Sequence, residues 1–271
     1  MGGGRIDCYI DIASVFSYAA FVDLLANRSK LEANGVQVEI HPVFLGGIMQ
    51  GSGNTPPWTL QGKAKYLSYD VPRTMAARNI TGWGTPPNLF ELARTMSPLR
   101  ALLYIKEHFP PAAFDATMLL LFTKFWTPPH VSLADDANLA AALAEVTMGG
   151  GDDDKRKLFS DDDVRAIMEG RGGMRDRLKQ ETGRALELGA FGTPWIWVTN
   201  ADGQSEPFFG SDRWVELAVG RDNAKVANMA WMQLRPDIFI SRHRFSGRAG
   251  AAADGQAVKL LARMPILRIE M

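Results

Sequence analysis

The chain has 271 residues, of which 46% are hydrophobic and 22% charged, and its 30 basic and 30 acidic side chains give a formal net charge of zero. This length and hydrophobicity suffice for a folded core in one or two domains, and they exclude a disordered or collagen-like chain. Because the chain has no overall basic excess, nucleic acid is not an expected partner.

The first 44 residues predict a βαβ unit. Residues 6–13 form a short apolar run typical of a strand, and apolar side chains then recur at helical spacing. We expect Ser14 to cap the N-terminus of this helix and Gly35 to end it. Residues 36–44 alternate and are rich in β-branched side chains, which predicts a second strand. Two strands joined in this way are expected to run parallel.

A long helical stretch follows, and then the pattern returns to β structure. Residues 46–59 are rich in glycine and proline and predict a loop. Apolar residues then recur at helical spacing to about residue 190. Strands at 195–199 and about 206–209, joined by an Asn-Ala-Asp-Gly turn, form a predicted hairpin, and a further helix is expected to begin at Ser211.

These elements predict an α/β fold in which an all-helical domain is inserted into a domain built from both ends of the chain. We place the discontinuous domain at residues 1–50 and 188–234, the inserted domain at 51–187, and a C-terminal extension at 235–271.

Cysteine content and hydropathy predict an intracellular protein. Cys8 is the single cysteine, so the chain has no intramolecular disulfide and no cysteine-rich metal site. No run approaches the roughly 18 apolar residues that cross a bilayer, and the first residues do not resemble a secretory signal. We expect no membrane partner and a cytoplasmic location by default, with mitochondria or peroxisomes as alternatives. The four histidines share no ligand spacing, so no metal is expected.

Ser14 is the first candidate for chemistry, because it stands where a strand ends and a helix begins. Backbone N–H groups point outward at such a terminus, and the helix dipole favours negative charge there. The hydroxyl could therefore stabilise a bound anion. A plain N-cap role explains the residue equally well.

Two further positions offer groups to a ligand. A cis bond between Thr193 and Pro194 would turn the N–H and C=O of Thr193 outward for pairing with an extended ligand, although a trans bond is the commoner form. Ser211 at a helix start offers backbone amides to a carboxylate, and Asp212 can pair with an ammonium, although capping also explains both. A donor to a thiolate, an edge for peptide pairing, and a site for a carboxylate and an ammonium together match the groups of glutathione.

Four segments carry a family resemblance: YIDIASVFSYAAF, GIMQGSGNTPPW, GAFGTPWIWV and FFGSDR, in this order. They resemble the kappa-class glutathione transferases and the 2-hydroxychromene-2-carboxylate isomerases over about residues 5–225. The resemblance implies a DsbA-like thioredoxin fold with a helical insertion, glutathione as cosubstrate and a homodimer. It places the catalytic serine at Ser14. It assigns glutathione contacts to Asn54, Lys63, Thr193, Pro194 (the family's cis-proline), Ser211 and Asp212.

The leading hypothesis is a glutathione transferase, in which Ser14 donates to the glutathione sulfur and the thiolate attacks a small electrophile. The first alternative is isomerisation by reversible addition of the same thiolate to a conjugated double bond. The second is a glutathione-binding module without turnover. A disulfide oxidoreductase is not expected, because it would need Cys-x-x-Cys where the chain has Ser14 to Ser17. The second-substrate pocket is predicted between the 46–59 loop and the inserted helices, with walls at Met49, Trp58, Trp83 and Phe90.

Overall fold

A four-stranded sheet is the centre of the computed structural model, which describes residues 4–148 and 156–212. Its strands lie side by side in the order β2 (Gln37–Pro42), β1 (Arg5–Ile10), β5 (Trp195–Thr199) and β6 (Ser205–Phe209). β1 pairs in parallel with β2 and antiparallel with β5. β6 pairs antiparallel with β5 and forms the predicted hairpin. The sheet therefore takes two strands from each side of a long intervening segment.

Local sequence signals set the first helix. α1 (Val15–Ala33) begins after Ser14, whose Oγ accepts a hydrogen bond from the backbone N–H of Ser17 at 3.1 Å. Gly35 follows its C-terminus with φ of 76°, a left-handed conformation that glycine adopts without a steric penalty. The predicted βαβ unit with parallel strands is confirmed.

The segment between β2 and β5 is mainly helical, which confirms the predicted helical insertion. Its helices are α2 (Leu45–Ser52), α3 (Gln61–Ala76), α4 (Leu89–Leu92), α5 (Met96–His108), α6 (Pro111–Trp126), α7 (Asp136–Ala144), α8 (Asp161–Gly170) and α9 (Arg175–Glu187). Single 3₁₀ turns occupy Pro57–Thr59 and Arg171–Met174. The sequence did not indicate the two-stranded ladder of β3 (Thr147–Met148) and β4 (Arg156–Lys157).

The predicted loop at 46–59 is wrong in its first half, because α2 occupies it. The glycines of α2 allow close packing, whereas the prediction took them as signs of a turn. A Cβ on Gly51 would lie 2.5 Å from a methyl carbon of Leu186, and one on Gly46 would lie 2.8 Å from the ring of Phe44. Both approaches are closer than real Cβ contacts, so a side chain at either place would force Leu186 or Phe44 to shift.

Hydrophobic packing holds helices to the sheet. Tyr9 of β1 and Trp195 of β5 belong to one buried cluster, together with Ile48 of α2 and Ala185 of α9. This cluster fixes α2 and α9 beside the two central strands. α1 contacts α6, where the rings of Tyr18 and Phe122 stack with centroids 5.0 Å apart.

The described residues belong to one compact unit, Met1–Trp231. The domain boundaries near residues 50 and 188 stay predictions. The helix expected after Ser211, the boundary at residue 234 and the extension at 235–271 lie outside the described residues. Within residues 4–148 and 156–212, no helix is long and apolar enough to span a bilayer.

Candidate functional site

Ser14 stands at the N-terminus of α1, with 7% of its surface exposed. Its Oγ accepts from the N–H of Ser17 and donates to the backbone carbonyl of Thr193 at 2.9 Å. The first turn of α1 contains no acidic side chain, so no carboxylate from that turn opposes the positive end of the helix dipole. The arrangement suits an anion next to the Ser14 hydroxyl.

Thr193 and Pro194 lie directly beside Ser14, although 179 residues separate Ser14 from Thr193 in the chain. The peptide bond between them is cis, and the pair immediately precedes β5. Because β5 pairs antiparallel with β1, the first residue of β5 lies beside the end of β1, at one end of the two central strands. The structure therefore brings two of the predicted site features into contact.

Two buried hydroxyl groups at this place have no hydrogen-bond partner within residues 4–148 and 156–212. They are Ser17 Oγ, in the first turn of α1, and Thr193 Oγ1. Leaving a buried hydroxyl unpaired costs about 1–3 kcal/mol, so buried polar atoms usually have a partner. The N-terminus of α1 therefore has polar groups without partners among the described residues.

Asn54 links the end of α2 to the segment before β5. It follows Gly53, which ends α2 with φ of 72°. The side-chain Nδ2 of Asn54 donates to the carbonyl of Phe191 at 2.7 Å, and its Oδ1 accepts from the N–H of Thr55 at 2.9 Å. The residue is exposed, so the second Nδ2 hydrogen can reach a ligand.

Ser211 and Asp212 follow β6 on the other side of Pro194. The N–H of Gly210 donates to the carbonyl of Pro194 at 3.2 Å, which holds this segment against the site. Gly210 has φ of 92°, a conformation that glycine adopts without a steric penalty. Ser211 is buried and Asp212 is exposed.

Arg78, which the sequence did not single out, holds the Ser211 segment. Its Nη2 donates to the carbonyl of Ser211 at 2.7 Å, and its Nε donates to Asp23 of α1 at 2.8 Å. A third bond, from Nη1 to the carbonyl of Thr74 at 2.8 Å, anchors it to α3. Asp23 and Ser211 lie 55 and 133 residues from Arg78 in the chain, so no local pattern could have indicated that Arg78 links them.

The remaining predicted residues are less closely tied to Ser14. Lys63 is exposed in the first turn of α3, and no described residue forms a hydrogen bond or ion pair with it. Trp58 and Phe90 present exposed rings, whereas Met49 and Trp83 are half-buried. The second-substrate pocket and the role of Lys63 stay predictions.

Asp11 is a buried carboxylate just before Ser14 that the sequence analysis did not assign. Its Oδ1 accepts from the N–H of Ala13 at 2.9 Å and the hydroxyl of Thr95 at 2.8 Å, and its Oδ2 accepts from the N–H of Leu45 at 2.6 Å. Burial raises the pKa of Asp11 to about 6, although these hydrogen bonds act in the opposite direction.

Comparison with known proteins decides the family. The family profile of the DSBA-like thioredoxin domain matches residues 5–219. The chain belongs to this family. Among its relatives, glutathione S-transferase kappa 1 of Caenorhabditis elegans is 28% identical over 223 residues, which cover 79% of this chain and 89% of the relative. The protein of the same name from Homo sapiens is 25% identical over 219 residues, covering 79% and 88%.

Two solved structures share the fold. A 2-hydroxychromene-2-carboxylate isomerase aligns with a TM-score of 0.60 and 19% identity, covering 83% of this chain and 98% of that one. A probable DsbA oxidoreductase from Streptomyces coelicolor aligns with a TM-score of 0.54 and 16% identity, covering 85% and 89%. The predicted resemblance and the DsbA-like thioredoxin fold are confirmed.

Within the DSBA-like family, this chain lacks a reactive dithiol at the first helix. Ser14 and Ser17 occupy the two ends of the four-residue span where Cys-x-x-Cys would be needed. Cys8 is completely buried on β1, and burial raises the pKa of its thiol well above the ordinary range. Among the described residues, no group of three His, Cys, Asp or Glu side chains could hold a metal ion. Sulfur chemistry at this site therefore requires a thiol from a bound molecule.

Proposed function

We propose that the protein is a glutathione transferase, which activates the glutathione thiol at Ser14 for attack on a small electrophilic substrate. The observation that carries the proposal is the Ser14 hydroxyl at the N-terminus of α1, in contact with Thr193 before the cis Pro194. Curated relatives from three animals are named glutathione S-transferase kappa 1, which supports the same activity.

In the proposed complex, the thiol of glutathione lies at Ser14 and its peptide backbone pairs with Thr193 beside Pro194. Ser211 and Asp212 receive the carboxylate and the ammonium of the γ-glutamyl group. Asn54 and Lys63 border the opposite side, after α2 and at the start of α3. Glutathione is a cosubstrate in this proposal, and the protein is expected to form a homodimer.

Activation requires one exchange of partners at Ser14. A hydroxyl carries a single hydrogen, and in the structure that hydrogen points to the carbonyl of Thr193. On binding it turns to the sulfur, while the N–H of Ser17 keeps its bond to Oγ. A free thiol has a pKa of about 8.5, and a helix N-terminus can lower this by a unit or more. The thiol loses its proton to solvent, and the thiolate then forms a C–S bond to the electrophile as the leaving group departs with its bonding electrons.

Replacing Ser14 by alanine tests the proposal. Ser14→Ala is expected to raise the apparent pKa of the bound thiol and to lower kcat with a chloronitrobenzene acceptor. The pKa is measured from thiolate ultraviolet absorbance against pH. Ser160→Ala is the matched control, because Ser160 also caps a helix, with its Oγ accepting from Asp163 N–H at 3.1 Å. Unchanged thiol pKa and kcat in Ser14→Ala would refute the role of Ser14.

Product analysis and calorimetry of the unmodified protein with glutathione separate the alternatives. A stable glutathione adduct supports transfer. Recovery of an isomerised product with glutathione unchanged supports reversible addition to a conjugated double bond. Glutathione binding in calorimetry, with no product from any electrophile, supports a binding module without turnover. Light scattering of the purified protein tests the homodimer.

A further inference from the structure

A closed ring of hydrogen bonds surrounds Ser14, and Asp11 lies at its base. The backbone carbonyl of Asp11 accepts from the N–H of Ser14 at 3.1 Å. Its side-chain Oδ2 accepts from the N–H of Leu45, the first residue of α2, at 2.6 Å. One residue therefore binds both the turn that carries Ser14 and the start of α2.

The ring continues along α2 and returns through the segment before β5. Just after α2, Asn54 donates to the carbonyl of Phe191 at 2.7 Å. Two residues later, the carbonyl of Thr193 accepts from Ser14 Oγ at 2.9 Å. The main chain of Ser14 is thus held from one side and its hydroxyl from the other, with α2 as the rigid connection between them.

The donors to Asp11 explain why a carboxylate suits this position. Three neutral donors, from Ala13, Leu45 and Thr95, reach its two oxygens, and the side chain is completely buried. An asparagine has an NH₂ group in place of one carboxylate oxygen, so at least one of these donors would face another donor. Burying an ionised carboxylate without a cation is unfavourable. A carboxyl group suits this position despite that cost, because the three donors need an accepting oxygen on both sides of the side chain.

We propose that Asp11 is a positioning residue for Ser14, acting by tying the turn of residues 11–14 to α2. The consequence for thiol activation rests on the proposed function. The placement of the side chain at position 14 does not, and it can be measured without glutathione.

A thiol introduced at position 14 reports its own placement. In Ser14→Cys, the rate of alkylation by iodoacetamide is measured against pH. The midpoint of the profile gives the thiol pKa, and the plateau at high pH gives the accessibility of the ionised thiol. The unmodified protein supplies the background, because its single cysteine, Cys8, is completely buried.

Leu45→Pro removes the tie without substituting an ionisable residue. Leu45 is the first residue of α2, where proline is tolerated, and Phe44 before it has an extended conformation, with φ of −90° and ψ of 107°. The substitution deletes the N–H that donates to Asp11 and leaves the carboxylate in place.

Asp11→Asn in the same background is the second variant. It removes the negative charge as well as one accepting oxygen, so only its plateau rate is interpreted. Asp7→Asn is the matched control, because Asp7 lies on β1 and the same charge is lost, but its partners are Arg5 and His41, outside the ring.

In the Ser14→Cys background, Leu45→Pro is expected to raise the midpoint by about one pH unit, because the thiol leaves the helix N-terminus, and to slow alkylation at neutral pH by up to about tenfold. Both Leu45→Pro and Asp11→Asn raise the plateau rate several-fold, and Asp7→Asn matches the parent. A parental profile in Leu45→Pro, or a parental plateau in Asp11→Asn, overturns the positioning role. If one variant does not fold, the other decides by the same criterion.

Kinetics in the unmodified Ser14 background link the result to activity. Leu45→Pro is expected to lower kcat more than it raises KM for glutathione, since it displaces the activating hydroxyl while the ligand contacts after β6 remain. Absence of turnover in the parent protein contradicts the proposed function alone. The alkylation profiles still decide the role of Asp11 in that case.

Discussion

Asp7 and Asp11 lie four residues apart at β1, yet the protein holds the two carboxylates in opposite ways. Asp7 accepts from Arg5 and from His41 Nε2, at 2.7–2.8 Å, and both partners can carry positive charge. Burial alone would raise the pKa of Asp7, but these bonds hold it at about 2. Asp11 has only neutral donors, and burial raises its pKa to about 6.

The difference separates a region built for stability from one built for geometry. His41 connects Asp7 to Glu181 of α9, with Nδ1 at 2.9 Å from Oε2. Because both ring nitrogens face carboxylates, both must donate, so His41 is an imidazolium. Burial lowers its pKa, but the bonds to Asp7 and Glu181 raise it above the ordinary value overall. The charges near Asp7 are thus paired, whereas the carboxylate beside Ser14 is held at a cost in stability.

The largest expected effect comes from deleting the Asp11 carboxylate. Asp11→Ala removes the acceptor of three donors, two of them buried, and should lower the free energy of unfolding by about 4 kcal/mol at pH 4, where the folded Asp11 side chain is protonated. Asp7→Ala should lower it by about 1–2 kcal/mol, because water can reach the side chain of Arg5, which is 45% exposed. Urea unfolding at pH 4 measures both, because Asp7 is still ionised there and Asp11 is not. Equal losses would show that the two carboxylates do not differ in this way.

The second effect is a dependence on pH with opposite signs at the two positions. The folded pKa of Asp11 lies above its unfolded value of 3.8, so its contribution to stability is present below pH 3.8 and is lost as the pH rises to about 6. The loss is on the order of 3 kcal/mol. Asp7 contributes stability above pH 3.8 that is lost as the pH falls toward 2.

Unfolding free energies of the unmodified protein and Asp11→Asn, compared between pH 4 and pH 7, test this sign. The variant should gain on the parent as the pH rises. A constant difference would contradict an elevated pKa for Asp11.

A smaller effect is expected at His41. His41→Gln removes a cation between two carboxylates and should cost about 2 kcal/mol at pH 6. Because the folded pKa is raised, the stabilisation is complete below about pH 6.5 and is lost as the pH rises through the folded value. The deficit should therefore shrink by pH 9 in thermal or urea unfolding. His108→Gln, at an exposed helix end and outside the hydrogen bonds of Asp7 and Glu181, is the control variant.

The smallest effect is expected at Thr95. Thr95→Val removes one hydroxyl from Asp11 and should cost about 1 kcal/mol in urea unfolding, whereas Thr95→Ser keeps the donor and should cost less. Similar losses in the two variants would indicate that packing of the methyl group, rather than the hydrogen bond, accounts for the effect.

Elements with local signals were predictable from the sequence. The cap at Ser14, the glycine after α1 and the hairpin of β5 and β6 are each determined by residues that lie close together in the sequence. α2 was not predictable, because its glycines are fitted to Phe44 and Leu186, and Leu186 lies more than 130 residues away.

The candidate site likewise contains residues that the sequence indicated and residues that only the fold shows. The family resemblance indicated Ser14, Asn54 and Thr193, which the structure links through contacts in one region. Asp11 and Arg78 were missed, since Asp11 meets Thr95 across 84 residues and Arg78 meets Ser211 across 133. Such residues are recognised by their partners, and the partners are known only from the fold.

The hydrogen bond from Ser14 Oγ to the Thr193 carbonyl also determines which ligand groups can bind the hydroxyl. Any incoming group must displace a neutral acceptor that already holds the hydroxyl hydrogen at 2.9 Å. A neutral thiol or thioether is a weaker acceptor than a carbonyl and gains nothing by the exchange. An ionised sulfur forms a bond roughly twice as strong as a neutral one. The hydroxyl therefore favours an anionic ligand group over a neutral one. A ligand group takes its hydrogen only if it is a stronger acceptor than the Thr193 carbonyl.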